Sequence, residues 1–140
     1  MVITAQGYAE GEGEGPAFVL AEPLSFWGGV DAETGHIIDH SHPDLGRVIT
    51  GCILVMPGAR GSSSSSSVFA ESIRRGTGPL GIVLAVPDPI LTVGAIVAQS
   101  LYELRCPVVV CSIDGIMTGQ HVRVRASANG DAEVIVAAGG

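Results

Sequence analysis

The chain has 140 residues, a net charge of −7, 46 % hydrophobic residues and 15 % charged ones. That length predicts one domain, 1–140, with a real core, and the composition excludes a disordered chain despite 20 glycines. Seven scattered Lys and Arg exclude a nucleic-acid partner, and no apolar run approaches the ~18 residues needed to span a bilayer or follows a basic start as a signal would, so a cytoplasmic location with no membrane partner is expected.

Val2–Ala9 reads as a first strand and Ala17–Ala21 as a second, with Gly11-Glu12-Gly13-Glu14-Gly15 between them expected to form a turn or a bulged edge. Pro23-Leu24-Ser25-Phe26-Trp27-Gly28-Gly29-Val30-Asp31 follows, where paired glycines after large aromatics suit a tight loop holding a ring against the core. His36–Asp39 reads as a short strand. Gly51–Pro57 is a short apolar run stopped by proline, the pattern of a strand buried on both faces. Six serines, Ser62 to Ser67, then lead into Val68–Gly76, where Phe69 and Ile73 stand four apart and Arg74 and Arg75 precede a closing glycine. Those are helix signals with a stop.

The same alternation repeats. Gly81–Val86 reads as a buried strand, Ile90–Leu104 as an apolar helix and Pro107–Cys111 as a third buried strand. Two successive strand–helix–strand crossovers predict parallel neighbours joined right-handedly. His121–Ala126 and Ala132–Ala137 flank Asn129-Gly130 as a hairpin. The expected class is α/β, a three-layer β/β/α domain with a mixed sheet and no linker to divide it.

A serine tract between a buried strand and an amphipathic helix is not a flexible linker. A helix start carries unpaired N–H groups and a positive dipole end, so this loop suits a carboxylate or phosphate. One serine capping the helix, with the rest solvated, is the plain alternative. A serine acting as a base needs its alkoxide stabilised, which the same helix start could supply, with Arg60 or a partner's cation adding charge. Asp88, between Pro87 and Pro89 at the end of a strand, is expected to orient its loop rather than react.

Cys52, Cys106 and Cys111 are widely spaced within apolar runs and read as buried small hydrophobes, not as a disulfide framework or a metal site. His36, His40 and His42 lack ligand spacing, and His40-Ser41-His42 before Pro43 is expected in an exposed loop. His121, Arg123 and Arg125 are expected on a solvated hairpin face. No metal or cofactor is assigned to this chain.

Pro23 to Asp31, Gly61-Ser62-Ser63 and Pro87-Asp88-Pro89-Ile90 together resemble the small subunit, or swivelling domain, of aconitase X enzymes, over nearly the whole chain. The resemblance implies a domain that closes over a larger subunit carrying an iron or iron–sulfur centre, the pair dehydrating a small hydroxy acid. Family activities are dehydration of cis-3-hydroxy-L-proline in bacteria and of mevalonate 5-phosphate in archaea. By resemblance to bacterial members the first is preferred here. It would yield an enamine that tautomerises to a cyclic imine.

The family's Gly-Ser-Ser segment falls on Gly61-Ser62-Ser63. Ser62 is implied as the base that removes the proton alpha to the carboxylate, iron on the partner acting on the departing hydroxyl. Gly61, Ser63 and Ser64 are implied as substrate-binding, and Ser25, Trp27, Gly28, Gly29 and Asp88 as loop-shaping. Aconitase itself continues its segment with Arg-Glu-His, where this chain has Ser64, Ser65 and Ser66, and many family members have glycine at Ser65. Two other classes compete: a phosphohistidine carrier, which would need a histidine at a helix start, and a non-catalytic anion-binding module. None of His36, His40, His42 or His121 stands at a helix start.

Overall fold

The computed structural model describes residues 1–59 and 61–137; Arg60, singled out above, lies outside them. The chain runs β1 (Val2–Ala9), β2 (Gly11–Val19), β3 (Ile53–Met56), α1 (Ser65–Arg75), β4 (Gly81–Leu84), α2 (Pro89–Tyr102), β5 (Val108–Val110), β6 (His121–Ala126) and β7 (Asp131–Val136). The strands close into a barrel in the order β1-β5-β4-β3-β2-β6-β7. Strands β2, β3, β4 and β5 are parallel neighbours, whereas β1, β6 and β7 pair antiparallel.

Side-chain alternation along β3 shows why this sequence needs two cores. Ile53 and Val55 face the barrel lumen with Val83, Val109, Val122, Val124, Val134 and Val136. Leu54 and Met56 face the other way, onto Phe69 of α1 and Leu91 and Ala95 of α2. A strand buried on both faces reads as a continuous apolar run, and all four residues of β3 and of β4 are buried. In place of an explicit three-layer β/β/α stack, the seven strands form one closed mixed barrel, with the two helices packed on its outer face. Closure leaves no sheet edge exposed for mispairing.

Three sequence expectations change. Gly11–Gly15 is neither a turn nor a bulged edge; it lies inside β2 and pairs with β6 from Gly11↔Ala126 to Gly15↔Val122. A Cβ at Gly13 would collide with the Leu80 carbonyl, so glycine is selected there by close approach of another segment. The intervening Glu12 and Glu14 point outward, Glu12 to Arg123 (3.3 Å) and Arg125 (2.9 Å), Glu14 to His121 (3.1 Å). His36–Asp39 forms only the isolated bridges Val30↔Ile37 and His36↔Val48. His42 is buried rather than exposed: its Nδ1 accepts Asp44 N–H at 3.0 Å, and its Nε2 lies 3.3 Å from the Glu22 carbonyl, tying the loop down. Among the described residues no helix is long and apolar enough to cross a membrane.

Candidate active site

Because β2, β3, β4 and β5 run in parallel, the loops that follow them emerge at one end of the barrel. Pro23–Asp31 follows β2, the serine tract follows β3, and Pro87-Asp88-Pro89 follows β4. This is the end at which α/β sheets place ligands. A parallel bridge between Leu24 and Ala59 joins the first two loops, and Gly61 packs against Ile90 at the start of α2, which brings in the third.

The β2 loop turns on Gly28, with φ +74°, and on Gly29, where a Cβ would collide with the Ser25 carbonyl. The ring held against the core is Phe26, fully buried with its centroid 5.0 Å from that of Phe69. Its neighbour Trp27 goes the other way, 58 % exposed. Backbone geometry thus presents an indole to solvent beside the serine tract.

Helix α1 starts inside the tract, at Ser65, three residues before the expected Val68. Ser62 is half-buried, and its Oγ accepts Ser64 N–H at 3.2 Å while its carbonyl accepts Ser65 N–H at 2.9 Å. Gly61 and Ser63 are exposed and Ser64 is half-buried. Among the described residues Ser63 N–H has no acceptor. Ser64, at the N-cap, makes no side-chain capping bond. The tract therefore offers an N–H group and several hydroxyls at a positive helix end, with the Ser62 hydroxyl oxygen already receiving a backbone donor from within the tract.

Asp88 caps α2: Oδ1 accepts Ile90 N–H at 3.0 Å, and its carbonyl accepts the Thr92 hydroxyl at 2.9 Å. Pro89 follows at the first helical position, where no N–H is missed. Its carboxylate is committed to its own helix.

Sequence reasoning missed Ser65. This hydroxyl is buried, accepts Trp27 N–H at 2.9 Å and lies 3.2 Å from Ser25 Oγ. No local signal distinguishes it within a run of identical residues, because its partners lie about 40 positions upstream.

The thiols do not fit an iron centre. Burial pushes Cys52 up to about 12 and Cys106 likewise to about 12, and raises Cys111 as well, so the surroundings of all three favour the thiol over the thiolate. Among the described residues no three His, Cys, Asp or Glu side chains converge as ligands.

Comparison with known proteins agrees with this architecture. Residues 2–135 match the family model of the aconitase X swivel domain. The chain is 40 % identical over 120 residues to cis-3-hydroxy-L-proline dehydratase of Hypocrea jecorina, covering 84 % of this chain but only 20 % of that protein. It is 42 % identical over 98 residues to the phosphomevalonate dehydratase small subunit of Methanothermobacter thermautotrophicus, 70 % of this chain and 75 % of that one. Among solved structures it superposes on a chain of Thermococcus kodakaraensis aconitase X in its holo-form with a TM-score of 0.85, at 31 % identity and 99 % coverage of both. The chain belongs to the aconitase X swivel-domain family.

Proposed function

We propose that this chain is one swivelling domain, 1–140, that forms the small half of a cytoplasmic hydro-lyase, with Ser62 as the base that removes a proton alpha to a substrate carboxylate. The observation that carries the reading is the bond from Ser64 N–H to Ser62 Oγ at the start of α1. A donor aimed at that oxygen, at the positive end of a helix, favours the alkoxide over the hydroxyl. Ser63 N–H and the hydroxyls of Ser63 and Ser64 lie beside it to receive the carboxylate, with Gly61 giving close approach. Arg60 belongs to the same loop by sequence.

The iron or iron–sulfur centre is assigned to a large subunit, because Cys52 and Cys106 of this chain are buried and among the described residues no three His, Cys, Asp or Glu side chains converge as ligands. The same division of labour explains an active-site end built from convergent loops with an exposed indole: it is half of a cleft. The substrate proposed first is cis-3-hydroxy-L-proline, the compound named for a relative 40 % identical. Mevalonate 5-phosphate is the second reading, favoured by an equally close relative at 42 %.

The test is Ser62→Ala in the enzyme assembled with its large subunit, assayed with both substrates. Loss of a general base costs ~10²–10⁴ in turnover. If Ser62 only caps its turn, the same substitution lowers stability by ~1 kcal/mol and leaves turnover intact. Deuterium exchange at the substrate's alpha carbon follows the base step separately, and normal exchange in Ser62→Ala would sink the assignment.

A further inference from the structure

Of the six serines, Ser65 alone is fully withdrawn from solvent, at 2 % exposure. Its hydroxyl belongs to a closed circuit. Trp27 N–H donates to Ser65 Oγ at 2.9 Å, and Ser25 Oγ donates to the Trp27 carbonyl at 3.0 Å. Each hydroxyl has one proton, and that of Ser25 is spent on the carbonyl. The 3.2 Å contact between the two hydroxyls therefore runs from Ser65 to Ser25. Donors and acceptors alternate around the ring, so each bond polarises the next and both backbone polar groups of Trp27 are satisfied.

The circuit continues into the candidate base. Ser65 N–H donates to the Ser62 carbonyl at 2.9 Å, so one residue holds the Trp27 backbone through its side chain and the Ser62 peptide through its backbone. We propose that Ser65 is a positioning residue that locks the loop after β2 to the loop after β3, fixing Trp27 relative to Ser62. The catalytic part of this proposal rests on the reading of Ser62 above; the structural part does not. Without the Ser65 hydroxyl, Trp27 N–H loses its acceptor and Ser25 loses its donor. Trp27 is then held on one side only, by the Ser25 hydroxyl at its carbonyl.

Trp27 is the chain's single tryptophan, so its fluorescence reports this loop without a label. In the full chain, Ser65→Ala should raise amide exchange at Trp27 by ~10-fold, the equivalent of one lost hydrogen bond, and change acrylamide quenching of its emission. Amides of β3, buried in both cores, should exchange as before. Ser25→Ala opens the ring from its other side without substituting a residue of α1 and should give the same local loosening, with the double variant little worse than either single one. In the assembled enzyme, Ser65→Ala should lower kcat by ~10-fold with a smaller change in KM. Unchanged Trp27 exchange and quenching in both single variants would overturn the proposal, as would acceleration spread equally over β3. Full turnover in Ser65→Ala with a loosened Trp27 would overturn its catalytic part. A failure of the Ser62 assignment shows instead in Ser62→Ala and leaves the Trp27 measurements standing.

Discussion

Two helices begin at the same end of this barrel and treat their first turns differently. Helix α2 enters through a carboxylate that accepts one of its N–H groups and through a proline that has none to satisfy. Helix α1 enters through serines, with no acidic residue in its first turn and no side-chain cap at Ser64. One start carries a carboxylate of its own chain, and the other carries none. A helix start is an anion site only where the chain has not already filled it, which is why α1 and not α2 is the place to look.

Exchanging these two conditions should break the comparison most sharply. Ser64→Asp puts a carboxylate at the α1 start, where attraction to the helix end is worth ~0.3–1 kcal/mol, so the midpoint of urea unfolding should rise slightly. In the assembled enzyme proposed above, the same carboxylate would face that of the substrate. Like charges brought together cost several kcal/mol, so kcat/KM should fall by ~10²-fold or more. A variant that is both more stable and fully active would show that substrate does not approach this helix end.

The converse change acts on stability rather than rate. Asp88→Ala removes the α2 cap and should lower unfolding free energy by ~1 kcal/mol, read from urea titration. Asp88→Asn keeps an oxygen to accept Ile90 N–H and should recover most of that loss. If Asp88→Ala cut turnover as deeply as Ser62→Ala, the contrast between a structural and a chemical helix start would be wrong.

Much of this was legible in the sequence, for identifiable reasons. Helices α1 and α2 announce themselves by apolar spacing and by glycine or proline at their ends, and β3 and β4 by short runs with no polar residue. The parallel crossovers follow from that alternation. What local pattern cannot report is who approaches from afar. Gly13 looks like a turn residue, yet its glycine answers to the Leu80 carbonyl. His42 looks like loop, yet its ring is drawn under the chain at Glu22. Closure of the barrel rests on β1 meeting β5, Gln6 opposite Val110, a pairing of high sequence separation with no local signature. At the proposed site, Ser62 is singled out by its motif and Ser65 by nothing local, because burial rather than residue type sets it apart.

The smallest expected effect lies at the far end of α1, where the helix is tied down as firmly as its start is left open. Arg74 reaches Glu71 through Nε at 2.6 Å and a second nitrogen at 2.8 Å, and Arg75 adds a contact at 3.0 Å. Both arginines also sit favourably at the negative helix end. Hydrogen bonds from Arg74 and then Arg75 hold the Glu71 carboxyl down at about 2, from an ordinary value of 4.5. A carboxyl depressed on folding adds stability above its unfolded value and loses it as pH falls through the folded one. The group is at the surface, where water and salt weaken such pairs. Glu71→Gln should therefore lower Tm only slightly at neutral pH, with a constant deficit down to about pH 4.5 that closes as the pH approaches about 2. Added salt should shrink the same deficit, since exposed pairs are screened over ~8–10 Å. A deficit that widened on acidification would mean that Glu71 stabilises α1 by some route other than its two arginines.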